Sequence, residues 1–322
     1  MNRYARQMLL PDIGQIGQAR LADAHVLVVG AGGLGCPVLQ YLVGAGVGEI
    51  TLFDPDRVEE GNLHRQPLYR MTDIGHPKAQ AAQAHLLAAQ PDLRLHPRIC
   101  ALTPANAHTA VALSDLVIDA ADSFAVSYIL SDTCLSQGKP LISASALGQS
   151  GYVGGFCCQA PSLRAVFPDL PEHAASCATA GVLGPVVGVI GSLQAQMALR
   201  VLLACDPSPL GTMATLDLAT MQLGQFSFLG APEPDRQMPF VALQDVKPED
   251  QLVELRPTCE VPEMAIHSAR RIAPDAMADA TFSTRHRIIL CCRSGLRAWR
   301  AGRQLQQRGF TDIALMADGD VV

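Results

Sequence analysis

A glycine-rich hexapeptide lies between a predicted strand and a predicted helix, and it restricts the possible folds of this chain more than any other feature. Residues 30–35 read Gly-Ala-Gly-Gly-Leu-Gly, after the apolar run 26–29 and before the helix-length stretch 35–46. Glycines let a backbone turn tightly and let phosphate oxygens approach the amides at a helix N-terminus. The hexapeptide therefore predicts a nucleotide phosphate loop, whose glycines are Gly30, Gly32, Gly33 and Gly35.

Short apolar runs alternate with helix-length stretches through the first half of the chain. The apolar runs are 26–29, 50–53, 116–118 and 141–142, and the helix-length stretches are 35–46, 78–90 and 125–137. Strands that alternate with helices usually form a parallel sheet covered on both faces. We therefore predict an α/β fold with a Rossmann-like, mostly parallel sheet.

The length of 322 residues suggests about two domains. Residues 230–235 read Gly-Ala-Pro-Glu-Pro-Asp, a composition typical of a linker. We predict one domain over residues 1–228, a linker over 229–239 and a small α/β domain over 240–322.

Charge and cysteine content favour a cytoplasmic protein without nucleic-acid partners. The formal net charge of −6 makes a broad nucleic-acid surface improbable. The ten cysteines show no Cys-x-x-Cys spacing, and the first residues lack the apolar core of a secretion signal. We read the thiols as reduced. The uncharged segment 174–199 is long enough to span a bilayer, but its glycine, proline and glutamine content favours a loop and a buried helix instead.

Polar residues after the second predicted strand indicate which nucleotide the loop binds. Asp54 follows Gly35 by 19 residues, where an acid would accept hydrogen bonds from a ribose hydroxyl. Up to this point a dinucleotide-dependent dehydrogenase explains the pattern equally well. Two cations and two amides close in sequence suit a triphosphate better than a pyrophosphate, and a dehydrogenase does not need them. These four residues are Asn62, Arg65, Gln66 and Lys78.

The strand 116–118 is followed by Asp119 and Asp122, on the edge of the sheet where the glycine loop is expected. Asp122 could hold magnesium against the phosphates, since this ion favours one or two carboxylates plus phosphate oxygens. It could instead cap the following helix. We favour the metal role.

A second candidate site lies near the end of the chain. Residues 292–297 read Cys-Arg-Ser-Gly-Leu-Arg, between the apolar run 288–290 and a predicted helix over 298–308. Backbone amides, the helix N-terminus, Arg293 and Arg297 would all favour a thiolate or persulfide on Cys292. Because side chains alternate along a strand, we expect Cys291 rather than Cys292 to be the buried thiol.

Several motifs together resemble the ThiF/MoeB/HesA family of E1-like enzymes, over about residues 1–228. The resemblance implies ATP- and magnesium-dependent adenylation of the C-terminal glycine of a ubiquitin-like sulfur carrier protein of the ThiS/MoaD kind, which ends in Gly-Gly. The matching segments are 3–7, 30–36, 44–48, 62–66, 75–78, 119–122, 177–182 and 188–192, with Asp54.

The resemblance also implies roles for individual residues. It places Gly32 and Gly33 in the phosphate loop, Asp54 at the ribose and Asp122 at the metal. It places Asn62, Arg65 and Lys78 at the phosphates. Arg6 matches an arginine that reaches the ATP of the partner subunit in the family's homodimer. Cys177 matches a cysteine near the adenylate that links covalently to the carrier in some members, although a buried, inert thiol is the alternative.

The segment from about residue 240 to the end resembles rhodanese-like sulfurtransferases, mainly through the loop 292–297. Residues 253–257 stand where that family has an Asp-Val-Arg strand, and two other signatures of the family are missing or reduced. A cysteine desulfurase is a possible sulfur donor. Many ThiF-like proteins bind structural zinc through two Cys-x-x-Cys pairs. This chain has Ser-Leu-Arg-Ala at 162–165 and no cysteine at 227–236, so we predict no such zinc.

The combined prediction is an adenylyltransferase that also transfers sulfur to form a thiocarboxylate on its carrier. One alternative is an enzyme of the same fold that adenylates a peptide or natural product, for which Cys292 would be unnecessary. The other is a non-catalytic scaffold that docks a ubiquitin-like protein. The cluster of Arg6, Arg65, Lys78 and Asp122 argues against a scaffold.

Overall fold

The computed structural model describes residues 3–170, 181–264 and 268–317, and it contains two β-sheets with helices packed against them. The helices are α1 (Gly14–Asp23), α2 (Gly35–Ala45), α3 (Lys78–Ala89), α4 (Pro104–Ala112), α5 (Phe124–Gln137), α6 (Leu163–Val166), α7 (Gly184–Leu202) and α8 (Leu296–Gln307). The strands are β1 (His25–Val29), β2 (Glu49–Phe53), β3 (Arg94–Arg98), β4 (Leu116–Asp119), β5 (Leu141–Leu147), β6 (Ser150–Phe156), β7 (Thr212–Asp217), β8 (Gln222–Ser227), β9 (Gln251–Glu254), β10 (Arg270–Arg271), β11 (Ile288–Cys292) and β12 (Ile313–Ala317).

The larger sheet has the strand order β3-β2-β1-β4-β5-β6-β7-β8. Its first five strands pair in parallel, and β6, β7 and β8 extend it as antiparallel strands. The predicted α/β fold with a mostly parallel sheet is therefore confirmed. Chain order reverses between β1 and β4, and the carboxyl ends of two such strands form the usual ligand crevice of an open α/β sheet.

Helices cover both faces of this sheet because its central strands are apolar on both sides. Alternate residues of β1 belong to different cores, with Val26 and Val28 on one face and Leu27 and Val29 on the other. Every residue of β4 is buried. This explains why these strands read as continuous apolar runs rather than as alternating ones.

Helix α7 is the one helix among the described residues that is long and apolar enough to cross a membrane. It packs against α2 and against β5 and β6 of the larger sheet. Val186, Val187 and Ile190 lie in the core on that side. The predicted helix is thus present, from Gly184 to Leu202, but only one face of it is buried.

The smaller sheet has the order β10-β9-β11-β12, and all its strands are parallel. One face packs against α8 through a core that includes Leu290, Cys292 and Leu305. The other face has its own small core, which contains Ile289 and Cys291.

Residues around the predicted linker are attached to both sheets. Met238 is buried in the core beneath α8, and Phe240 contacts the cores of both sheets. Residues 239–241 run beside β12, where Val241 N donates to Leu315 O at 2.8 Å. The segment therefore fastens the smaller sheet to the larger one.

Candidate active site

The glycine loop lies against the end of β4, at the point where the strand order reverses. Gly30 has a φ of +101°, and a Cβ there would stand 2.5 Å from the carbonyl oxygen of Ala120. A Cβ on Gly35 would overlap the Gly30 carbonyl. Only glycine allows this close approach, which brings the loop beside the residues that lead to Asp122.

Asp54 follows β2 and holds the glycine loop through hydrogen bonds. Its carboxylate accepts hydrogen bonds from Ala31 N at 2.7 Å and from Asp56 N at 2.8 Å. Burial raises the pKa of Asp54 above its ordinary value. The charge of Lys78 and these amide bonds offset part of the rise. The predicted acid is thus at the loop, and its assignment to the ribose stays a prediction.

Lys78 is buried at the start of α3, and its ammonium group pairs with a carboxylate that the sequence analysis missed. Lys78 Nζ lies 2.8 Å from Asp56 Oδ2, and only 5% of Lys78 is exposed. Asp56 stands two residues after Asp54, and that spacing was the signal that could have identified it. The network runs from Ala31 through Asp54 and Asp56 to Lys78.

Asn62 and Arg65 lie together on a turn that faces the glycine loop. Arg65 Nη2 donates to Asn62 Oδ1 at 2.8 Å. Arg65 and Gly33 line a cavity of about 300 Å³ that extends to the start of α7 at Gly184. Arg65 and Gly33 therefore border the same cavity, and Asn62 is joined to Arg65 beside it.

The residues present fit a bound nucleotide. A Cβ on Gly32 would meet only Gln66 Nε2, at 3.6 Å, so the loop is open on that side. Gln66 Oε1 is buried, and it has no hydrogen-bond partner in the part of the chain that the structure describes. A buried acceptor beside an open loop suits a ligand with hydroxyl or amino donors.

Asp122 is exposed between β4 and α5. The N-cap position of α5 is Ser123, so Asp122 is not the cap residue. Asp119, three residues earlier, is fully buried and accepts a hydrogen bond from Ser143 Oγ at 2.8 Å. Among the described residues no cluster of three or more metal-binding side chains occurs. Asp122 thus offers a single carboxylate at the crevice.

Arg6 is exposed and lies at the far end of α2 from the glycine loop of its own chain. Gln7 Nε2 donates to Ala45 O at 2.8 Å, and the Tyr4 ring contacts the position of Gly46. An α-helix of this length spans about 16 Å. The Arg6 side chain is therefore not part of the site formed by its own chain.

The expectation for the two neighbouring thiols is wrong, because Cys292 is the more deeply buried of the two. Cys292 ends β11 and is 0% exposed, and Cys291 is 8% exposed. β11 lies between β9 and β12, and both faces of the sheet are covered, so alternation exposes neither side chain. One backbone amide contacts the thiol, since Ala298 N donates to Cys292 Sγ at 3.3 Å.

The loop after Cys292 touches the helix that follows Asp122. A Cβ on Gly295 would lie 2.6 Å from the Phe240 ring and 3.5 Å from Ala125 Cβ. Ala125 is in the first turn of α5. Arg297 donates to Glu260 through both terminal nitrogens, one of them at 2.9 Å. The two candidate sites are thus neighbours in one chain, whereas Cys177 lies outside the described residues.

Residues 162–165 and 227–236, where the zinc-binding cysteines of many ThiF-like proteins would be expected, are joined by hydrogen bonds. Ser162 donates from its backbone N at 2.7 Å and from its Oγ at 2.5 Å to the carboxylate of Glu233. Nearby, Arg164 pairs with both oxygens of Asp132 and stacks on Tyr128. The absence of structural zinc stays a prediction.

Curated relatives match about two thirds of this chain. A sulfur carrier protein adenylyltransferase of Thermus thermophilus is 44% identical over 67% of this chain and 83% of its own length. The SAMP-activating enzyme E1 of Haloferax volcanii is 40% identical over 63% and 76%. The adenylyltransferase and sulfurtransferase MOCS3 of Bos taurus is 44% identical over 67%, but the match spans only 48% of that longer protein. These relatives confirm the predicted enzyme class, an adenylyltransferase.

Solved structures show the same fold. E. coli MccB with ATP superposes with a TM-score of 0.63 at 20% identity, over 71% of this chain and 72% of MccB. PaaA gives a TM-score of 0.60 at 21% identity, over 70% and 73%. The sequence profile of the ThiF family matches residues 4–239, which include every described residue around the glycine loop. This chain therefore belongs to the ThiF family.

Proposed function

We propose that this protein uses ATP to adenylate the C-terminal carboxylate of a ubiquitin-like sulfur carrier protein and then helps to convert the acyl adenylate into a thiocarboxylate. The observation that carries the proposal is the set of contacts around the glycine loop. Gly33 lines one cavity with Arg65, Asp54 and Asp56 connect the loop to Lys78, and Gly30 packs against Ala120, two residues before Asp122. Relatives that are 40–44% identical and are named for sulfur carrier or SAMP activation support the substrate class.

Adenylation needs a carboxylate placed in line with the α-phosphorus of ATP. The carboxylate oxygen attacks phosphorus, the bond to the β-phosphate oxygen breaks, and pyrophosphate leaves. Arg65 and Lys78 would offset the charge that develops on the phosphates, and the glycine loop would hold them with its amides. Lys78 must share its ammonium group between the phosphates and Asp56.

Magnesium would be held by Asp122 and phosphate oxygens, and it would neutralise charge on the leaving pyrophosphate. The tight contact of Gly30 with Ala120, which holds the end of β4 against the loop, supports this role for Asp122. We further propose a cytoplasmic homodimer in which Arg6 serves the partner's site, since it is remote from its own.

The second step would use Cys292. A persulfide on Cys292, loaded by a donor such as a cysteine desulfurase, attacks the acyl carbon with its terminal sulfur, and AMP leaves. A thiol that then attacks Cys292 Sγ releases the thiocarboxylate and leaves a disulfide. The proximity of Gly295 to Ala125, in the first turn of the helix that follows Asp122, supports a role for this loop near the proposed adenylation site. Cys177 remains the proposed alternative attachment point for the carrier.

The test is exchange of labelled pyrophosphate into ATP, measured with a panel of carriers that end in Gly-Gly. We expect exchange only when a carrier and magnesium are both present. Asp122→Ala and Arg65→Ala should each lower the exchange rate by at least ~100-fold, the scale of losing one charge-stabilising group.

Two exposed residues outside the crevice provide matched controls. Asp92→Ala and Arg285→Ala remove the same charges elsewhere on the surface and should leave exchange unchanged. Near-normal exchange by both site variants would contradict the assigned site. Exchange that is independent of any carrier would contradict the proposed substrate.

A further inference from the structure

Tyr69 lies beneath the glycine loop, and neither its place in the sequence nor its residue type suggested a role there. It is 4% exposed and belongs to the core between the larger sheet and α2. Its hydroxyl donates to the carbonyl oxygen of Ala31 at 2.8 Å and lies 3.3 Å from the carbonyl oxygen of Lys78. The ring packs in the core, and the hydroxyl joins the glycine loop to the start of α3.

The bond to Ala31 O helps to orient an entire peptide plane, and the Cys36 thiol makes a longer contact of 3.7 Å with the same oxygen. The carbonyl of Ala31 and the N–H of Gly32 belong to one planar trans peptide, in which they point in opposite directions. A hydroxyl that holds the carbonyl toward the core therefore turns the Gly32 N–H away from the core. The preceding plane is fixed in the same way, because Ala31 N donates to Asp54 Oδ2 at 2.7 Å.

The orientation of this peptide leaves the Gly32 N–H available to a ligand. Within the described ranges no hydrogen bond between residues uses this N–H. A Cβ on Gly32 would meet no atom nearer than Gln66 Nε2 at 3.6 Å. A backbone donor left free on an open glycine surface at the start of a helix suits a phosphate oxygen.

We propose that Tyr69 is a positioning residue for ATP: its hydroxyl holds the Ala31 carbonyl and so aims the Gly32 amide at the phosphates. This inference rests on the proposed function, since it assumes that the crevice binds ATP. Burial raises the pKa of Tyr69 above its ordinary value, so the hydroxyl keeps its proton and acts as a donor throughout the neutral range. The effect should fall on phosphate recognition, because Tyr69 acts on the Gly32 amide, which belongs to the loop proposed to hold the phosphates.

The experiment compares nucleotide affinities of full-length protein by titration calorimetry. Tyr69→Phe should weaken ATP binding by about tenfold, the loss of one well-placed hydrogen bond to a charged group. Adenosine, measured by competition, should bind the variant and the wild type equally. If Tyr69→Phe binds ATP as tightly as the wild type, or loses ATP and adenosine in equal measure, the inference is wrong.

Tyr128→Phe is the matched control. Tyr128 is also 4% exposed, and its hydroxyl also donates to a backbone carbonyl, that of Phe167 at 2.6 Å. It should lose similar stability and keep its ATP affinity, which separates positioning from a general structural effect. Equal loss of ATP affinity in both variants would overturn the inference.

A measurement on the wild type covers the case in which the variant does not fold. ATP should protect the peptide around Gly32 from hydrogen–deuterium exchange, and adenosine should not. Lack of protection by ATP in a protein that binds ATP would overturn the positioning role. A wild type that does not bind ATP at all would instead overturn the proposed function.

Discussion

Asp119 carries a buried carboxyl group whose ionised form destabilises the folded protein. It ends β4 and is fully buried, and burial raises its pKa from 3.8 to about 6. Hydrogen bonds from Ser127, Ser143 and the Ala121 amide favour the ionised form and limit the rise. The raised pKa means that Asp119 opposes folding at neutral pH.

The pH dependence of stability should reveal this cost. Between about pH 4 and 6 the folded protein keeps a proton on Asp119 that the unfolded chain has lost, so the contribution of Asp119 to stability falls as pH rises. Asp119→Asn removes the titration. Its stability relative to the wild type should therefore rise by on the order of 2–3 kcal/mol from pH 4 to pH 7. Urea denaturation of both proteins at the two pH values measures this, and a constant difference would contradict it.

Single residues were predictable where a motif places them and unpredictable where only tertiary contacts do. The glycines and Asp54 follow from a spacing along the chain, and the structure places them at one crevice. Tyr69 reaches the loop only because its turn folds back beneath α2, which no local pattern records. The burial of Cys292 was also missed, because it depends on a second layer that covers the smaller sheet.

At the scale of elements, β11, the loop 293–295 and the start of α8 together surround the sulfur atom of Cys292. Cys292 Sγ accepts from Ala298 N at the start of α8, and Arg297 interacts with the same thiol. Cys292→Ala should leave pyrophosphate exchange intact, because no thiol takes part before AMP is displaced. It should abolish sulfur transfer to the carrier, measured as thiocarboxylate by mass spectrometry.

Cys291→Ala is the control for this change, since it removes a buried thiol from the opposite face of the same strand. It should support normal sulfur transfer. Full thiocarboxylate formation by Cys292→Ala would show that sulfur arrives from another protein.

Elements were predictable in proportion to how completely they are buried. The apolar runs that became β1, β2 and β4 identified the central sheet, and the glycine loop fixed the start of α2. The polar strand β3 escaped notice because it is an edge strand with Pro97 and pairs on one side only. β8 was also missed. It is the other edge strand of this sheet, and all of its residues are exposed.

At the scale of the whole molecule, the position of Arg6 separates it from the site of its own chain. The N-terminal segment is held at the end of α2 by Gln7 and Tyr4, and the glycine loop is at the other end. If Arg6 takes part in catalysis as proposed, it therefore acts in the crevice of another subunit. Closed dimers with two-fold symmetry provide such an exchange, because each chain gives its partner the same residue that it receives.

Subunit mixing tests this arrangement. Arg6→Ala and Lys78→Ala should each lack pyrophosphate exchange alone. After random subunit exchange, half of the dimers are mixed, and each mixed dimer has one site with an intact Lys78 from one chain and an intact Arg6 from the other. Exchange should therefore recover to about a quarter of the wild-type rate, as two-fold symmetry requires. If Arg6 served its own chain, every mixed site would lack one of the two cations. The rate would then stay at the level of the separate variants, and a monomer in light scattering would contradict the arrangement directly.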